Sequence, residues 1–133
     1  MTKRIILFAS GNGSNVENIC RFFEQNSTIS IVGVFTNNLK AGVIQRVKQF
    51  KIDVHVFNKK DFTEGYLLEN AVGLQPDLIV LAGFLWKIGA DWVKAFPKQI
   101  INIHPALLPK YGGKGMFGQH VHYAVEANNE KET

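Results

Sequence analysis

Ile5-Ile6-Leu7-Phe8-Ala9-Ser10-Gly11-Asn12-Gly13-Ser14-Asn15 is the stretch whose reading decides the fold. Five apolar residues stop at a glycine-rich polar turn, after which Ile19, Phe22 and Phe23 recur at helical spacing until about Asn26-Ser27. That order of strand, tight turn and helix opens a βαβ unit. The turn leaves the carboxyl end of a strand and enters the amino end of a helix, where unpaired backbone N–H groups and the helix dipole favour an anion. Gly11 and Gly13 let the backbone approach a ligand closely, and Ser14 and Asn15 can cap the helix or donate hydrogen bonds to phosphate oxygens. Read by itself, the segment serves equally well as a tight turn before a capped helix. A dinucleotide fits it less well. The loop spells G-x-G-x-x-V, and the second strand ends in Thr36-Asn37-Asn38 without an acidic residue for a ribose.

Outward from this unit the same alternation repeats. Residues 30–35 form a second strand, Val43, Ile44, Val47 and Phe50 a second helical pattern, and Val54-His55-Val56-Phe57 a third strand in which His55 is expected to be structural. A helix is predicted over residues 62–72. Leu78-Ile79-Val80-Leu81-Ala82 is unbroken apolar chain of the kind a parallel strand covered on both faces requires. A short helix over 90–95, a fifth strand over 99–103 closed by His104-Pro105, and a last helix over 116–127 complete the pattern. The expected architecture is one α/β domain over residues 1–133, a doubly wound, mostly parallel Rossmann-like sheet that binds ligands beyond its strands' carboxyl ends.

Composition narrows the function. Of 133 residues, 46% are hydrophobic and 20% charged, the balance of a globular chain rather than a disordered one. No apolar run approaches the ~20 residues of a membrane helix, and the first 15 residues lack a signal-peptide cleavage pattern, so a cytoplasmic protein without membrane contact is expected. The net charge of +4 comes from Lys and Arg scattered along the chain with no aromatic-interleaved basic patch. Nucleic acid is therefore not an expected partner, while a mildly positive field suits small anionic substrates. Cys20, the single cysteine, is expected as a core thiol beside Ile19, Phe22 and Phe23. His104, His120 and His122 lack a Cys, Asp or Glu to complete a ligand set, and no metal is expected.

Two further segments carry chemistry. In Asn102-Ile103-His104-Pro105, residues one apart at a strand end can face the same cleft. A carboxamide N–H can stabilise an oxyanion, and an imidazole can move a proton or, when protonated, stabilise developing negative charge. A polar pair closing a strand is also how plain turns read. Ala82-Gly83-Phe84-Leu85-Trp86-Lys87-Ile88 follows the central strand and could wall a pocket for a flat heterocycle, or simply pack.

Three motifs, SGNGSN at 10–15, VLAGF at 80–84 and NIHPALLPKYGGKG at 102–115, resemble in order and spacing those of the phosphoribosylglycinamide formyltransferases, folate-dependent enzymes of purine synthesis. The resemblance spans essentially the whole chain. Formyltransferases acting on methionyl-tRNA or sugar nucleotides, and the formyl-folate hydrolase, share Asn-x-His but differ in the first loop and after the histidine. The resemblance implies the formyltransferase fold and formyl transfer from the cosubstrate 10-formyltetrahydrofolate to the amine of phosphoribosyl glycinamide, by a monomer or homodimer. It assigns Gly13, Ser14 and Asn15 to the substrate phosphate, and Asn102 and His104 to catalysis. Lys60, Leu85, Trp86, Lys87, Ile88 and Asn102 fall to the folate, with Trp86-Lys87 departing from the commoner Met-Arg-Ile-Leu type of sequence. The family continues with an Asp-Gly-Gly loop carrying a catalytic aspartate, more strands and a C-terminal helix. The expectation is thus an N-terminal portion lacking the C-terminal part, inactive or nearly so alone. A formyltetrahydrofolate hydrolase and a non-catalytic nucleotide-binding remnant are the alternatives.

Overall fold

The computed structural model describes residues 2–103. The chain divides into two units, Met1–Asn102 and Ile103–Thr133. The elements below belong to the first, apart from Ile103 at the end of the last strand. In order they are β1 (Lys3–Phe8), α1 (Ser14–Phe23), β2 (Ile29–Thr36), α2 (Gly42–Val47) with a 3-10 turn Lys48–Phe50, β3 (Val54–Val56), α3 (Lys59–Thr63), α4 (Tyr66–Gly73), β4 (Leu78–Ala82), α5 (Ala90–Ala95) and β5 (Ile100–Ile103). The helix expected over 116–127 lies outside the described residues.

The strands stand in the order β3-β2-β1-β4-β5, all parallel. β1 pairs with β2 from Lys3↔Ile29 to Phe8↔Phe35, with a register shift between Ile5 and Ile6, and with β4 from Ile5↔Leu78 to Phe8↔Leu81. At the amino ends Arg4 locks this second register. Its N–H donates to Asp77 Oδ2 at 2.8 Å, its carbonyl accepts the Asp77 N–H at 2.7 Å, and its Nε donates to Leu74 O at 2.7 Å.

Successive strand side chains face opposite ways, so β1 feeds two cores. Ile5, Leu7 and Ala9 join Val16 and Cys20 of α1 and Val43 and Val47 of α2 on one face. Ile6 and Phe8 join Phe62 of α3, Leu67 and Ala71 of α4, Trp92 of α5 and Phe96 just after it on the other. Hence the unbroken apolar spelling. The second core is aromatic, with Phe8 lying 5.1 Å from Phe35, 5.0 Å from Phe84 and 5.5 Å from Trp92, centroid to centroid. His55 packs its ring 4.8 Å from Phe35, in keeping with a structural role.

Two elements differ from the sequence expectation. The helix predicted over 62–72 is two helices, because Gly65 takes φ 90° between them. The first starts earlier, where Asn58 and Asp61 form a capping box with Asp61 N–H donating to Asn58 Oδ1 at 2.8 Å. α1 ends at Phe23 rather than near residue 26, and Asn26 Oδ1 instead accepts N–H bonds from Thr28 and Ile29 to lead into β2. Phe22 is 79% exposed, since Val16, Cys20 and the half-buried Phe23 define the inward stripe and leave it on the outer side.

Cys20 is a buried thiol, as expected. Burial, with a smaller contribution from the Glu17 carboxylate, pushes its pKa up to about 11. Among the described residues no helix is long and apolar enough to cross a membrane.

Phe8→Ala should destabilise the fold by about 3–5 kcal/mol in urea denaturation, whereas Phe22→Ala should change stability by under about 0.5 kcal/mol. The raised thiol pKa means that Cys20 favours folding while protonated. Its contribution is complete below the unfolded pKa near 9 and is lost as pH rises toward about 11. Stability measured across pH 9 to 11 should therefore fall less steeply in Cys20→Ala than in the native chain.

Candidate functional site

The chain reverses its winding direction between β1 and β4, so α1 and α5 cover opposite faces of the sheet, and the carboxyl edge at this switch point is where sheets of this kind bind ligands. The first loop is anchored residue by residue. Ala9 N–H donates to Phe35 O at 3.0 Å, Ser10 N–H to Gly83 O at 3.0 Å, Val43 N–H to Gly11 O at 3.1 Å and Glu17 N–H to Gly13 O at 2.8 Å. These bonds hold four of the five residues from Ala9 to Gly13.

Gly13 is the N-cap of α1, with φ 78° and ψ 23° and no side-chain cap. A Cβ there would stand 2.5 Å from Cβ of Val43, so glycine is required both for the left-handed conformation and for the contact. Neither Ser14 nor Asn15 caps the helix. Asn12 does part of that work, its Oδ1 accepting the Ser14 N–H at 3.0 Å. Both Ser14 and Asn15 are exposed, and the N–H groups of Asn15 and Val16 meet no partner among the described residues. Just below, the Glu17 carboxylate accepts from Arg46, from Gln49 at 2.8 Å and from Arg21 at 3.1 Å. The Arg46 bond chiefly holds its pKa below the ordinary value. The acid in the first turn of α1 is thereby turned toward cations instead of standing unpaired beside an anion site.

In the second loop Gly83 takes φ 78°. Leu85 is 55% exposed and Lys87 is exposed, while Ile88 packs half-buried on the aromatic core. Trp86 packs as well, 5.6 Å from Phe62 and 5.9 Å from Phe57, with Lys59 Nζ 4.5 Å over its ring. Lys60 stands exposed on α3. It is therefore Lys59, which the sequence reading passed over, that α3 brings onto this loop. Asn102 lies exposed on β5, one residue before its end. His104 lies outside the described residues.

The residue most missed by the sequence reading is Ser10. It is 5% exposed, and its Oγ accepts the Leu85 N–H at 2.9 Å. No periodicity marks a serine at the end of an apolar run as a clamp between loops. No group of three His, Cys, Asp or Glu that could hold a metal stands together among the described residues, and His120 and His122 lie outside them. A hollow of about 390 Å³ lined by Cys20, Phe23, Ile31, Phe50 and Ile52 sits at the opposite, amino edge, away from these loops.

Gly13→Ala should cost about 1–2 kcal/mol from the left-handed backbone alone, with a further penalty from overlap with Val43. Gly11→Ala, with open space at its Cβ, should be close to neutral. Thermal unfolding of the two variants checks the contrast.

Comparison with known proteins is consistent with this arrangement. The family model described as formyl transferase matches residues 3–131. The chain is 36% identical to the chloroplastic phosphoribosylglycinamide formyltransferase of Vigna unguiculata over 97% of its own length and 43% of that protein's. It is 37% identical to the phosphoribosylglycinamide formyltransferase of Bacillus subtilis over 88% of its length and 63% of that protein's. The crystal structure of the same enzyme from Brucella melitensis superposes with a TM-score of 0.86 at 31% identity, covering 98% of this chain and 69% of that one. The chain thus spans less than half the length of its plant relative and about two thirds of these bacterial ones. With nearly all of its residues under the family model and its strands superposing on a solved member, the chain belongs to the formyl transferase family.

Proposed function

We propose that these residues serve the transfer of a formyl group from 10-formyltetrahydrofolate to the amine of phosphoribosyl glycinamide. The observation that carries the reading is the convergence, at one carboxyl edge, of the loop around Gly13 at the start of α1 and the end of β5 with Asn102. The names of the relatives point the same way.

In this reading the phosphate of the substrate settles on the loop at Gly13, Ser14 and Asn15, where the N–H groups of Asn15 and Val16 and the positive end of α1 offset its charge. Lys60, Leu85, Trp86, Lys87, Ile88 and Asn102 face the folate. The exposed Leu85 and the exposed cation of Lys87 suit a ligand with an apolar ring system and carboxylates. The amine attacks the formyl carbon, a new C–N bond forms, and the carbonyl electron pair moves onto oxygen. The Asn102 carboxamide N–H and a protonated His104 stabilise that oxygen. The attacking amine gives up a proton, the electron pair on oxygen re-forms the carbonyl as the bond to the folate nitrogen breaks, and that nitrogen takes up a proton in return.

Removing one donor to such an oxyanion costs about 10²–10³ in rate. In the enzyme carrying these residues, Asn102→Ala should lower kcat by about that factor while the KM for phosphoribosyl glycinamide changes little. Loss of 10-formyltetrahydrofolate should also require the amine, which a hydrolase would not. Near-normal turnover in Asn102→Ala would refute its role, and amine-independent formate release would refute the transferase reading.

A further inference from the structure

The geometry points to Ser10 as a positioning residue that couples the loop after β1 to the loop after β4, so that an anion held on residues 11–16 tightens residues 85–88. The inference rests on the proposed function, which gives the two loops to two different substrates.

β1 and β4 are paired as far as Phe8↔Leu81, and beyond that point two neighbouring parallel strands at a switch point send their chains to opposite faces. Ser10 bridges the gap from both its backbone and its side chain. Its N–H donates to Gly83 O at 3.0 Å and its Oγ accepts from Leu85 N–H at 2.9 Å. At 5% exposure, water does not compete freely for either bond. The next residue, Gly11, is pinned through its carbonyl to Val43 of α2, and Gly13 through its carbonyl to Glu17 of α1. The path from the first turn of α1 to Leu85 is therefore short and anchored at several points. Beyond Leu85 the chain is fixed again by Trp86, seated on Phe62 beneath Lys59. Among the described residues both hydrogen bonds from the first loop into the second belong to Ser10: the backbone bond ends at Gly83, and the bond through the hydroxyl reaches Leu85 directly.

Replacing that hydroxyl leaves the Leu85 N–H without its acceptor, and such a loss is felt where the group is partly buried. Coupling between sites is reciprocal and typically spans about 5–150-fold in affinity. Ordering of the phosphate loop is then felt at the folate loop, and the reverse.

The test uses the 15N-labelled chain with inorganic phosphate as the probe, reading amide shifts and hydrogen exchange. In the native chain, phosphate should shift the amides of Asn15 and Val16 and, along the same saturation curve, those of residues 85–88, and should slow exchange at Leu85. In Ser10→Ala the response at Asn15 and Val16 should persist, the response at 85–88 should vanish, and Leu85 should exchange about tenfold faster without phosphate, a factor equivalent to the loss of one ordinary hydrogen bond. Ser10→Cys, which keeps a weak acceptor, should restore part of both. A native response at 15–16 with none at 85–88 overturns the coupling alone, as does a response at 85–88 that survives in Ser10→Ala. No response at 15–16 overturns the phosphate-loop reading and the coupling together. Should Ser10→Ala fail to fold, the native titration and Ser10→Cys still decide the outcome.

Discussion

β1 is covered on both faces, and the rest of the structure follows from that. Ile5, Ile6, Leu7 and Phe8 are each at most 7% exposed, two directed into the core under α1 and α2 and two into the aromatic core under α3, α4 and α5. A strand so enclosed can present polar groups to a ligand only where it ends. At its amino end, Arg4 and Asp77 occupy one another. At its carboxyl end the chain opens into the glycine loop, and the neighbouring strands deliver Asn37, Gly83 and Asn102 to the same edge. Fully burying such side chains contributes about 1.5–3 kcal/mol each. The loop is thereby carried on a support far stiffer than its own sequence.

This enclosure is also what made the fold legible. Strands covered on both faces must be written in continuous apolar residues, so Leu78–Ala82 and residues 5–9 announced themselves, and Ala90–Ala95 matched its expected bounds. Legibility failed where two patterns overlapped. Apolar spacing runs on from Phe62 into Leu67 and Ala71, yet Gly65 adopts a left-handed turn that no periodicity reports, and the capping pair Asn58 and Asp61 lies outside the apolar pattern. Phe22 misled for a related reason: helical spacing names a stripe, but which of two adjacent aromatics lies within it depends on where the helix meets the sheet.

The site was legible in its residue types and less so in its partnerships. Gly13 was singled out for backbone freedom, and the structure adds the contact with Val43, thirty residues on, that makes the glycine obligatory. By type, Ser14 and Asn15 can either cap the helix or donate to phosphate oxygens, and the capping oxygen comes instead from Asn12. Lys60 rests on resemblance alone, and nothing in the local spacing announces that Lys59 lies over Trp86. Ser10 was invisible because its role is a long-range hydrogen bond, and such bonds leave no trace in local spacing.

The two tryptophans occupy different surroundings. Trp92 is 1% exposed, edge-on to Phe8 and with its indole N–H unpartnered among the described residues, so its emission reports a dry interior. Trp86 is half-buried in the loop after β4 beneath an ammonium group. The molecule therefore carries its own pair of optical reporters, an internal reference in the aromatic core and a sensor at the carboxyl edge whose colour answers to whatever moves the lysine above it.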